Sequence, residues 1–164
     1  MKVLGFAGWS GSGKTTVIER LIPRFVAHGL TVSLIKHAHH TFDVDMPGKD
    51  SYRHRAAGCR EVLVSSEKRW VIMHELHGES EPGLDEQIKR VAPCDLLLIE
   101  GYKRYPMPKL EIYRAATGKP LLYPEDRHII AIARDVPLPA KLPQYELRDY
   151  EGIAEFILTY HGFK

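Results

Sequence analysis

The chain contains no asparagine, only two cysteines and no long hydrophobic run. Without asparagine, the N-K-x-D motif by which many GTP-binding proteins read guanine is excluded. Cys59 and Cys94 are far apart and form no C-x-x-C pair. That excludes a disulfide scaffold and a cysteine-rich zinc site, and suits a reducing cytoplasm. Apolar runs such as Leu96–Ile99 fall far short of the roughly 20 residues that span a bilayer. The apolar start after Lys2 stops at Gly8 and is too short for an export signal. A cytoplasmic protein without a membrane association is expected. Net charge is also scarce, at +2. Such a balance gives no electrostatic footprint for nucleic acid, and none is expected as a partner.

What is present fits one globular domain spanning 1–164, with 44% hydrophobic and 27% charged residues over 164 positions. Short apolar runs alternate with helical patterns. Val3–Ala7 reads as a buried strand and Lys14–His28 as an amphipathic helix, kinked at Pro23 and stopped by Gly29. Val32–Lys36, Leu96–Ile99, Leu110–Tyr113 and Ile129–Ala133 read as further strands. Leu84–Val91 and Tyr150–Tyr160 read as helices, and Glu61–Ser65 with Trp70–Met73 as a hairpin. Residues 38–49, 102–109 and 136–144 read as loops. The alternation predicts a doubly wound, mostly parallel α/β sheet with an added β-hairpin.

The strongest motif is Gly8-Trp9-Ser10-Gly11-Ser12-Gly13-Lys14-Thr15, which matches G-x-x-x-x-G-K-[ST] in full. Glycines let the backbone curl so that successive N–H groups face phosphate oxygens. The lysine then reaches the β/γ-phosphates, and the Thr15 hydroxyl is placed to hold Mg²⁺. The helix that starts here adds its N-terminal dipole, and Thr16 continues the loop into it. A dinucleotide fingerprint fails, because Gly11-Ser12-Gly13 would need glycine or alanine at position 16.

Leu96-Leu97-Leu98-Ile99-Glu100 is an apolar strand ending in an acid. Beside a phosphate loop, Glu100 is the candidate for the Mg²⁺-side carboxylate or for orienting a water. Tyr102-Lys103-Arg104-Tyr105 follows, where two cations and two aromatics could hold phosphate and stack on a planar ring, or form an ordinary exposed loop. Lys36 ends the second strand on the ligand side of the sheet. Asp50 is a candidate for Mg²⁺ or for sensing the γ-phosphate. Hydrolytic candidates are therefore Asp50, Glu100 and Lys103. His37, His39, His40, Asp43 and Asp45 lie within nine residues. Their side chains suit a transition metal, but their spacing matches no standard zinc pattern. Arg53, Arg55, Arg60 and Lys68-Arg69 read as a solvated basic face. For base reading, the strand Ile129–Ala133 leads to Arg134-Asp135. The Asp135 carboxylate could accept from N1–H and the 2-amino group of guanine.

Together, GWSGSGKTT, IKHAHHTFDVD, PGKDS with the downstream AAG, and LLLIEGYK resemble the MobB family, adaptor proteins of molybdopterin guanine dinucleotide biosynthesis. The resemblance covers nearly the whole chain. It implies a doubly wound phosphate-loop fold, a homodimer, and Mg²⁺–GTP binding with weak hydrolysis. It also implies a partner, the guanylyltransferase that joins GMP to molybdopterin, with molybdopterin itself a further candidate ligand. On this resemblance Gly8 to Thr16 form the nucleotide loop and Glu100 the Mg²⁺-side acid, and the hairpin serves the dimer. Some relatives carry an extra lysine early in the loop, where this chain has Trp9. Two other functions share the motif: a small-molecule kinase, and a nucleotide-driven metallochaperone using His37, His39 and His40.

Overall fold

The structure, a computed structural model, describes residues 1–38 and 42–164. It divides into two compact units, Met1–His37 with Arg90–Lys164, and Ala38–Lys89.

The first unit holds a six-stranded sheet. Its strands are β1 (Lys2–Ala7), β2 (Val32–Lys36), β5 (Leu96–Glu100), β6 (Lys109–Tyr113), β7 (Ile129–Arg134) and β8 (Gln144–Glu146). Their spatial order is β2-β5-β1-β6-β7-β8, and every neighbouring pair is parallel. Such a sheet buries both faces, so its inner strands are mostly apolar: β5 is buried at all five positions, three leucines and an isoleucine followed by Glu100. The short β8 falls partly within the stretch expected to be loop; three residues directly after Pro143 give too weak a period to read.

Helices α1 (Lys14–Ala27) and α4 (Tyr150–His161) pack on one face. Leu4, Phe6, Leu98, Leu110 and Ile112 meet Ile18, Leu21, Phe25, Ile153 and Ile157 there. Each fully buried side chain of this size contributes about 1.5–3 kcal/mol. Pro23 is accommodated inside α1. Asp149 caps α4 by accepting from the Gly152 N–H at 2.9 Å.

The chain runs from β1 towards β2, but from β5 it crosses back over β1 to β6. Connections that diverge from neighbouring strands open a crevice at their carboxyl ends, where ligands bind in open α/β sheets. Here the crevice lies beyond β1 and β6. On the face opposite α1, residues 101–108 pass close to β1: a Cβ on Gly5 would lie 2.7 Å from Met107 Cε and from Lys109 Cγ.

The second unit comprises α2 (Asp50–Ala56), the antiparallel hairpin β3 (Glu61–Ser65) and β4 (Trp70–His74), and most of α3 (Leu84–Arg90). Arg55 is not on a solvated face as the sequence suggested. Its side chain is 14% exposed and meets three carboxylates: Asp43 through two bonds of 2.8 Å, Asp45 at 3.4 Å and Glu75 at 2.5 Å. Acids distant in sequence converge on it, which local charge counting does not reveal. No described helix is long and apolar enough to cross a membrane.

Candidate functional site

The loop between β1 and α1 carries the motif. Gly8 has φ +151°, and a Cβ there would lie 2.5 Å from the Ile112 carbonyl oxygen and 2.7 Å from Ser12 Oγ. Only glycine fits so close an approach. Gly13 turns the chain into α1 with φ +98°, and no side chain caps that helix. Its first N–H groups thus remain available to an anion. The Ser12 hydroxyl is buried and has no hydrogen-bond partner among the described residues. An orphaned hydroxyl inside such a loop suits an external acceptor.

The cations and the acid converge on this loop. Lys14 Nζ donates to the Gly8 and Trp9 carbonyls, both at 3.0 Å, so its side chain folds back over the loop. Thr15 Oγ1 donates to Glu100 Oε1 at 3.0 Å. The other carboxylate oxygen, Oε2, lies 3.8 Å from Lys36 Nζ. Glu100 is 6% exposed, so this carboxylate is largely dry and its field on the neighbouring cations is strong. Burial lowers Lys14 below the ordinary lysine pKa; Glu100 opposes this, while Lys103 and Lys36 add to it. Four charged side chains, from two strand ends, the loop after β5 and one helix, therefore act on one another. A hydroxyl beside a carboxylate is an all-oxygen donor set of the kind Mg²⁺ takes.

Gly101 ends β5 with φ +113°, and a Cβ there would lie 2.9 Å from His37 Cβ. The sequence readily marks Glu100; that the next residue must be glycine follows from this contact. Lys103 Nζ lies 4.2 Å from the centre of the Trp9 ring, a cation–π distance. Tyr102 packs against His37, with ring centres 5.1 Å apart.

Beyond Gly13 the loop opens into a cleft of about 660 Å³. Its walls include Thr16 and Arg20 from α1, Arg114 after β6, and Asp135 after β7. Asp135 Oδ1 accepts from the Ala115 N–H at 2.9 Å, which fixes the carboxylate at the cleft wall. Arg114 was not singled out from sequence. Its guanidinium lies 3.3 Å from where a Gly13 Cβ would stand. Its position directly after a strand, like that of Asp135, is the signal that could have found it.

Asp50 belongs to the second unit, where it is exposed and pairs with Arg53 at 3.6 Å. His37 follows β2, while His39 and His40 fall outside the described residues. Among the described residues no group of three histidine, cysteine or acidic side chains could hold a metal ion. Ser10 and Gly11 lie at the exposed tip of the loop.

A doubly wound parallel sheet with this loop at its switch point defines a phosphate-loop α/β protein. The sequence model of MobB, "Molybdopterin guanine dinucleotide synthesis protein B", matches residues 3–135. The chain belongs to the MobB family. The "Molybdopterin-guanine dinucleotide biosynthesis adapter protein" of Escherichia coli (strain K12) is 42% identical over 161 residues, covering 96% of this chain and 92% of that one. The protein of the same name from Haemophilus influenzae is 41% identical over 157 residues, covering 94% and 86%. The crystal structure of Bacillus subtilis MobB superposes with a TM-score of 0.76 at 25% identity, covering 97% of each chain.

Proposed function

We propose that the chain is an adapter protein of molybdopterin guanine dinucleotide biosynthesis that works by binding GTP. The observation that carries the nucleotide reading is the convergence of Lys14, Thr15 and Glu100 on the loop Gly8–Thr16, continuous with a cleft walled by Asp135. The loop N–H groups and the start of α1 hold the phosphates. Lys14 turns from the Gly8 and Trp9 carbonyls to the β/γ-phosphates, and Lys36 and Lys103 offset further negative charge. Thr15 and Glu100 would hold Mg²⁺, which would supply positive charge to offset that of the phosphates. Guanine and ribose occupy the cleft. The free oxygen of Asp135 accepts from the base edge, and Arg114 lies beside the first turn of α1.

Hydrolysis is slow and secondary. Glu100 is the residue nearest to orienting a water, and Lys103 supplies charge at the loop. An adapter needs an enzyme to serve, and the guanylyltransferase that transfers GMP to molybdopterin is the partner this reading names. The working form is a homodimer. Leu63, Trp70 and Ile72 of the hairpin are 59%, 68% and 47% exposed, an apolar surface that a second copy of the chain would cover.

The test is equilibrium binding of Mg²⁺–GTP to the protein and to its Lys14→Ala and Thr15→Ala variants. Binding that Lys14→Ala weakens roughly 100-fold and Thr15→Ala frees from Mg²⁺ dependence supports the reading. Unchanged affinity in Lys14→Ala contradicts it.

A further inference from the structure

Strand β6 carries two charged residues in its interior, Lys109 and Glu111, each 1% exposed. Both face away from α1 and α4, because Leu110 and Ile112 between and beyond them face the main core. Buried charges of this kind are expensive, and apolar residues of similar volume often serve stability as well or better. What these two hold is informative. The Lys109 ammonium has three donors, and all three are used: on the Lys103 carbonyl at 2.9 Å, the Tyr105 carbonyl at 2.7 Å and Asp126 Oδ2 at 2.6 Å. The Glu111 carboxylate accepts from the Leu122 N–H at 2.7 Å and the Tyr123 N–H at 2.9 Å. Lys109 thus ties down residues 101–108 and also meets the β6–β7 connection at Asp126, while Glu111 ties down residues 120–123.

Both loops end on the same side chain. The loop fixed by Lys109 lays the Lys103 ammonium over the face of Trp9, 4.2 Å from its centre. The loop fixed by Glu111 presents the Pro120 carbonyl, which accepts from Trp9 Nε1 at 2.8 Å. Trp9 is the second residue of the phosphate loop. We infer that Lys109 and Glu111 are positioning residues: they act from the interior of β6, through residues 101–108 and 120–123, to hold Lys103 and Trp9 at the phosphate loop. This rests on the nucleotide reading only for its effect on affinity; the placement of Trp9 is testable without any ligand. Gly5 belongs to the same device, because a side chain there would displace Lys109.

Trp9 and Trp70 are the two tryptophans, so a Trp70→Phe background leaves Trp9 as the sole reporter. In that background Lys109→Met, Lys103→Met, their double variant and Glu111→Gln are compared by Trp9 emission without ligand and by Mg²⁺–GTP titration. Circular dichroism checks the fold. Lys109→Met and Glu111→Gln should each shift Trp9 emission. Lys109→Met should weaken GTP about tenfold, as much as Lys103→Met, the loss of one charge-assisted contact. The double variant should be no weaker than Lys103→Met alone, since residues acting through one contact are not additive. Unchanged Trp9 emission in Lys109→Met, or losses that multiply in the double variant, would overturn the inference. If Lys109→Met does not fold, Asp126→Asn takes its place in the same comparison. If the parent protein binds no Mg²⁺–GTP, the nucleotide reading fails, and the emission shift alone decides the positioning role.

Discussion

Lys14 donates to two carbonyls of its own loop, so its ammonium is held at the loop and has only to turn from those carbonyls to meet phosphate. Replacing it with alanine should weaken triphosphate binding roughly 100-fold, the scale of one or two hydrogen bonds to a charged group, measured by calorimetric titration. Glu100→Gln keeps the shape but removes the charge of the carboxylate that, with Thr15, is proposed to hold Mg²⁺. The variant should therefore bind nucleotide with a weaker Mg²⁺ dependence, read as affinity with and without the metal. Gly101→Ala forces a Cβ into His37 at φ +113°. It should destabilise the fold by about 1–3 kcal/mol, measured by urea denaturation. The motif residues were legible in the sequence because a phosphate loop needs particular residue types at fixed spacing. Lys109 and Glu111 were not. Lys109 falls in the stretch 102–109 that reads as loop and Glu111 carries no motif, while their burial follows from two loops that fold back over β6. Arg55 was misread because its burial, too, follows from partners distant in sequence.

At the scale of elements, long periodic segments were legible and short ones were not. The buried strand β5 and the amphipathic helix α1 carry enough side chains to define a period. The three-residue β8 and the 3₁₀ turn Ala115–Thr117 do not. The packing of α1 makes its own prediction. Phe25 is fully buried in the core formed with α4 and β1. Phe25→Ala should cost about 3–5 kcal/mol, seen as a lower urea midpoint with an unchanged slope. The hairpin behaves differently. Two isolated strands are marginal in water, yet β3 and β4 expose Leu63, Trp70 and Ile72 on one face. Such a patch gains stability when covered, so Trp70→Glu should shift the chain towards the monomer in sedimentation velocity while leaving nucleotide affinity intact.

At the scale of the whole molecule, pH reports on α4. Burial, with a smaller contribution from Lys2, lowers the His161 pKa below its ordinary 6.5, and its Nε2 has no hydrogen-bond partner among the described residues. The unfolded chain therefore binds the proton more readily than the folded one. The contribution of His161 to stability is present above pH 6.5 and is lost as the pH falls through the lower, folded-state value. His161→Gln should flatten that part of the stability profile, measured by thermal melts across the range.

The account depends most on which nucleotide the cleft accepts. The direct measurement is competitive equilibrium binding of GTP and ATP in the presence of Mg²⁺, made on the parent protein and on Asp135→Asn. The account predicts a clear preference for GTP that Asp135→Asn erodes while the phosphate loop still binds triphosphate. A preference for ATP, or a GTP preference that Asp135→Asn leaves untouched, would contradict it.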